Sequence, residues 1–133
     1  MNTKRVRRYI IQLLIAMKYK TTKEHFELFK KNFIYFQEKF GITQYKVYFF
    51  HTEIDNAYAE IFTDEECKVV RVSFGKEWNE RKPNKNEIIE NAKHECIHLL
   101  LNRIGWLGTC RYLDDAEIND ELEGLVVKLT KLL

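Results

Sequence analysis

Lys93-His94-Glu95-Cys96-Ile97-His98-Leu99-Leu100-Leu101 is the stretch on which the reading of this chain turns. It sits in a run that opens at Pro83-Asn84-Lys85-Asn86-Glu87, where Asn84 suits a helix cap and Glu87 follows three residues on. The run predicts a helix to about Ile104, with Gly105 as its stop. Residues four apart on a helix share a face, so His94 and His98 can address one metal ion. Zinc accepts two imidazole nitrogens plus an oxygen or sulfur ligand and leaves a position for water. Glu95 then stands beside that water, suited to take its proton. Two of the four histidines fall in this pentapeptide. Chance would place a His-Glu-x-x-His in only about one in a hundred chains of this composition. The plainer reading is a pair of surface histidines. The flanking Ile97, Leu99, Leu100 and Leu101 fit that poorly and fit the apolar surroundings of a metal site well.

A catalytic zinc site needs a third protein ligand. Cys96 points away from the two histidines on the helix, and Cys110 falls in the loop Gly105–Leu113 that follows. Asp114-Asp115-Ala116-Glu117 opens an acidic helix with Leu122, Leu125, Leu129 and Leu132 as its expected core stripe. Glu117, three residues after Asp114, reads as part of the helix start. Glu121 shares a stripe with Ile118 and Leu125, and Glu123 borders Val126 and Val127. Periodicity does not choose between Glu121 and Glu123. Tyr112 could donate to an oxyanion, though a plain structural tyrosine is the simpler reading. Trp78 and Trp106 read as packing residues.

Upstream, Tyr45–Phe50, Ala57–Phe62 and Lys68–Phe74 are rich in Val, Ile, Tyr and Phe and are separated by polar breaks. They predict a small, mainly antiparallel three-stranded sheet, with Val70, Val72 and Phe74 on the buried face. His51, at a strand end, is expected to be structural or solvated. Before the sheet, Phe26, Phe29, Phe33, Phe36 and Phe40 recur at helical spacing. Thr21-Thr22-Lys23-Glu24 serves as the expected capping box and Gly41 as the stop. That stripe is core, with His25 on the surface beside it. Residues 1–20 predict a basic amphipathic helix in which Val6, Ile10, Leu13 and Met17 share a face. Its apolar run is too short for a membrane span, and no small-x-small cleavage site follows. The expected class is therefore α+β in the order α-α-β-β-β-α-α, one domain over residues 1–133.

Composition narrows the function classes. At 133 residues with 45% hydrophobic and 14% aromatic content, the chain can bury a firm core and is not a disordered tail or a low-complexity linker. Three cysteines are an odd number at unrelated spacings, which suits a reducing, cytoplasmic setting. The net charge of +2 hides an asymmetry. Residues 1–50 carry eleven Lys and Arg against three Glu; residues 51–133 carry eleven against seventeen Asp and Glu. Arg5, Arg7 and Arg8 could touch nucleic-acid phosphates, with a solvated helix start as the default.

His94-Glu95-Cys96-Ile97-His98-Leu99-Leu100-Leu101, after a β-sheet and before an acidic helix, resembles the zincin metallopeptidases of the gluzincin type. More narrowly, the chain is similar to small phage- and prophage-encoded HExxH proteins and the SprT-like group over roughly residues 22–133. The later Glu123-Gly124-Leu125-Val126-Val127-Lys128-Leu129 is similar to a segment of such phage proteins and favours Glu123 over Glu121. The resemblance implies a zincin-like fold packed on the HExxH helix. It implies zinc held by His94, His98 and the later Glu, with Glu95 as general base. It also implies that Lys68–Phe74, the last strand before the active helix, holds an extended peptide substrate by edge pairing. The chain departs from the pattern in two ways. The third His of the metzincin extension is absent, with Leu101 and Asn102 in that register, and no SprT-type zinc-binding tail follows.

The expected function is a zinc-dependent peptidase acting on peptide or protein. The competing class is a non-catalytic interaction protein on the same scaffold, binding nucleic acid through its basic N-terminal half.

Overall fold

The computed structural model describes residues 2–110, 112 and 114–132. Four helices and two small sheets follow in the order α1 (Thr3–Ala16), β1 (Lys18–Lys20), α2 (Lys23–Lys39), β2 (Lys46–Thr52), β3 (Ala59–Asp64), β4 (Val69–Gly75), β5 (Glu77–Asn79), α3 (Lys85–Leu107) and α4 (Asp115–Leu132). The class is α+β.

The phenylalanine periodicity makes α2 the spine of the core. Phe29 and Phe33 are fully buried, and Phe36 and Phe40 nearly so. They meet Val70, Val72 and Phe74 from β4 and Ile88, Ala92, Cys96 and Leu99 from α3. The helix starts one residue later than the Thr21–Glu24 box implies. Thr22 is the cap and accepts from the His25 N–H at 3.1 Å, while His25 Nδ1 accepts from the Thr22 N–H at 3.0 Å. His25 thus does the work expected of an acidic partner. Thr21 is drawn inward instead: its hydroxyl donates to the Gly75 carbonyl at 2.6 Å. Gly41 ends the helix at φ 68°, a conformation that glycine adopts without strain.

The three-stranded sheet is mixed, not the mainly antiparallel one expected. Its order is β2-β4-β3, with β4 antiparallel to β3 but parallel to β2. The strand expected at the edge, Lys68–Phe74, is the central one. The reason lies in its side chains: Val70, Val72 and Phe74 are all fully buried, and the middle of a sheet is where a strand is covered most completely. The chain leaves β2, passes the end of β4, and returns as the edge strand β3. Gly75 permits this crossing, because a Cβ there would lie 3.0 Å from the Tyr58 carbonyl oxygen.

Two elements are absent from the sequence reading. β1 and β5 pair antiparallel through Tyr19 and Trp78, so the N-terminal helix stops at Ala16 and Lys18–Lys20 becomes strand. Trp78 is fully buried against Tyr58 and Phe74. α3 also runs through Gly105 to Leu107 and is capped by Gly108. A single glycine costs a helix only about 1 kcal/mol, and burial of Leu107 offsets it. Within the expected loop 105–113, Arg111 and Leu113 lie outside the described residues. On α4 the expected leucine stripe is only partly used. Leu125 is buried and Leu132 packs at the core margin, whereas Leu122 and Leu129 are exposed. None of the described helices is long and apolar enough to cross a membrane.

Candidate metal and catalytic site

The Asn84 side chain accepts from the Glu87 N–H at 3.0 Å and starts α3. The helix then buries one face, Ile88, Ala92, Cys96 and Leu99, against α2 and the sheet. That leaves His94 and His98 on the exposed face. Their Nε2 atoms lie 3.1 Å apart, with the rings nearly perpendicular at 77°. Two nitrogens bound to one zinc at tetrahedral geometry sit about 3.4 Å apart. The pair therefore fits two positions around one ion.

Glu95, between them in sequence, turns inward. It is 7% exposed and lines two adjoining concavities of about 360 and 400 Å3 between α3 and β3. Ala59 and Glu95 belong to both, so the two form one groove with Glu95 at its middle. His94 lines one half and His98 the other. Burial first, and the Glu60 carboxylate second, push the Glu95 carboxyl up to about 7. A carboxyl so placed can both take and return a proton near neutrality.

The wall facing α3 is β3. Among the described residues β3 pairs on one side only, with β4, and its other edge is open. The strand bordering the groove is thus β3, not the Lys68–Phe74 strand expected there. The physical reason is the crossover: β3 is laid down before β4 but ends outside it.

Among the described residues no group of three His, Cys, Asp or Glu gathers at metal-holding distance. Glu121 accepts from Arg103 Nε at 3.1 Å. Glu123 is exposed on α4. Glu117 is exposed, and its N–H is capped by Asp114 at 2.9 Å. Cys96 is buried with Sγ 3.9 Å from the Phe33 carbonyl, and burial pushes its thiol up to about 12. Cys110 Sγ turns to the Trp106 carbonyl at 3.5 Å. Tyr112 is 91% exposed and lines neither half of the groove. Of the apolar neighbours of the motif, Leu99 and Leu100 are buried but Ile97 and Leu101 are exposed, so the surroundings of the pair are half apolar. His51 is structural. It stacks on Phe26 and its Nε2 lies 2.7 Å from the Thr21 hydroxyl. That hydroxyl gives its only proton to Gly75, so Nε2 of His51 is the donor.

Three polar residues of the groove region escaped the sequence reading. Asn102 lines the groove beside His98, one helical turn on, a spacing that the HExxH periodicity could have extended. Its Nδ2 donates at 2.8 Å to Glu65, a carboxylate 4% exposed in the turn between β3 and β4. Glu65 also accepts from the Tyr45 hydroxyl at 2.6 Å, pairs with Lys68, and lies 3.5 Å from Arg103. Burial pushes the Glu65 carboxyl up, but the hydrogen bonds from Lys68, Tyr45 and Asn102 outweigh it and hold it below the ordinary carboxylate value. Glu60, the third, had no local signal at all. No protein-family model matches the chain, and no curated protein or solved structure does.

Proposed function

We propose that this chain is a zincin-like, zinc-dependent peptidase of the cytoplasm, akin to the small phage-encoded HExxH proteins it resembles. The observation that carries the reading is the 3.1 Å convergence of His94 and His98 Nε2 at a groove with Glu95 buried at its centre. His94 and His98 would hold the ion. When bound, zinc polarises a carbonyl and lowers the pKa of a bound water. Glu95 takes a proton from water in the groove and passes it to the leaving amine nitrogen. The open edge of β3 offers backbone N–H and C=O groups to an extended peptide, which sets the scissile bond over Glu95. Asn102, which lines the groove beside His98, donates one amide N–H to Glu65. Three free cysteines are in keeping with a reducing compartment.

A second reading draws on the hold of Arg103 on Glu121 and the lack, among the described residues, of a third ligand beside the pair. It is a non-catalytic protein on the zincin scaffold. One experiment separates them. The protein is loaded with one equivalent of zinc, and cleavage of an unfolded, dye-labelled protein is followed for the wild type and Glu95→Gln. Cleavage that Glu95→Gln removes while zinc stays bound supports the peptidase. Zinc binding without cleavage, or no zinc binding at all, overturns the peptidase and leaves the non-catalytic reading. Alanine at Glu121 and at Glu123 assigns the third ligand, as the one whose loss lowers zinc affinity by more than about 100-fold.

A further inference from the structure

Among the described side chains, none of α1 joins the hydrophobic core. Tyr9 is 64%, Ile10 49% and Leu13 51% exposed, about what a helix standing in solvent shows. At 100° per residue, Val6, Tyr9, Ile10 and Leu13 occupy an arc about 100° wide. Arg5 and Arg7 flank that arc on either side, and Lys4 and Arg8 lie opposite it; within residues 4–13, Ile11 is the one apolar residue on the basic side. Residues 1–20 carry six Lys and Arg and no acid, whereas residues 21–133 carry sixteen against twenty acids. All the positive excess of the chain is therefore concentrated in and just after this helix.

We propose that α1 binds an anionic lipid surface, lying in the interface with Val6, Tyr9, Ile10 and Leu13 inserted among the headgroups. The geometry is that of an interfacial helix: an apolar arc, exposed at Tyr9, Ile10 and Leu13 and half-buried at Val6, bordered by arginines whose stems can lie along the boundary while their heads meet lipid phosphates. The charge decides between occupants. Nucleic acid would match Arg5, Arg7 and Arg8 but would leave the apolar arc in water. A second copy of the chain would cover the arc but would bring the flanking Arg5 and Arg7 of two helices together. A lipid surface with anionic headgroups satisfies both features. The acidic remainder of the chain is repelled by such a surface, so attachment is peripheral and reversible. The proposal does not depend on the reading of the histidine pair.

The test is flotation of the full chain with vesicles of phosphatidylcholine alone or with about a third phosphatidylglycerol. Binding is expected only to the anionic vesicles and is expected to fall at least about tenfold when salt is raised to about 0.5 M. Combined Arg5→Gln, Arg7→Gln and Arg8→Gln should weaken it by about 100-fold. Ile10→Ser with Leu13→Ser, which keeps every charge, should weaken it about tenfold or more. Neither variant touches the core, and an unchanged thermal melt confirms that the fold is intact. No binding to anionic vesicles, or binding indifferent to the Ile10→Ser and Leu13→Ser pair, overturns the proposal. So does a chain that ignores vesicles but binds a single-stranded oligonucleotide, or one that dimerises through Leu13 without binding vesicles.

Discussion

Replacing Glu65 by alanine should unravel more of the molecule than its place in a surface turn suggests. The carboxylate is buried and receives the Tyr45 hydroxyl at 2.6 Å, Asn102 at 2.8 Å and the ammonium of Lys68. A buried hydroxyl stripped of its acceptor costs about 1–3 kcal/mol, and Tyr45 is only 4% exposed. Asn102 is half-buried and adds about 1 kcal/mol. Lys68 and Arg103 have side chains 33% and 43% exposed and can turn to water, so their loss adds little. The sum is about 3 kcal/mol, a large part of the margin of a domain this size and roughly a 10 °C fall in Tm. Tyr45→Phe alone should cost about 1.5–2 kcal/mol, and the double variant should be less destabilised than the sum of the two. Acid should mimic the loss. The folded-state pKa of Glu65 lies below its unfolded value, so its contribution is complete above the ordinary carboxylate range and vanishes as pH falls through the folded value. Urea melts of the wild type, Glu65→Ala and Glu65→Gln across that range are the assay. A loss under about 1 kcal/mol for Glu65→Ala, or a Glu65→Gln variant as acid-sensitive as the wild type, would refute the account.

His94→Ala and His98→Ala should each abolish tight zinc binding by calorimetry, while His51→Ala should leave it intact and lower stability through lost stacking on Phe26. Leu99→Ala, 1% exposed at the helix–helix contact, should cost about 3 kcal/mol in urea melts without altering zinc affinity. Gly41→Ala places a side chain at φ 68° and should cost about 1 kcal/mol, seen as a small fall in the denaturant midpoint. Thr22→Ala should cost a similar amount, and Thr21→Ala more, because Thr21 is the buried partner of Gly75 and His51.

The parts of this protein written in local periodicity were legible from the chain alone. The phenylalanine spacing of α2, the cap at Asn84, the three strand segments and the one-face placement of His94 and His98 all follow from residues within a turn or two of one another. What escaped is what depends on distant partners. Strand order is one case: alternation shows which side of β4 is buried but not that β2 and β3 flank it, because pairing is decided by total burial rather than by adjacency in sequence. Trp78 is another, three residues too few to show a period, yet made strand by its partner Tyr19 nearly sixty positions away. The groove itself is a third. Glu95 could be chosen from its motif, but Glu60, Asn102 and Glu65 reach its neighbourhood only because β3 returns to the sheet edge beside α3. Capping and amphipathicity are short-range energies that a sequence carries openly, whereas a cleft exists only where two separately stabilised elements are brought together by the core they share.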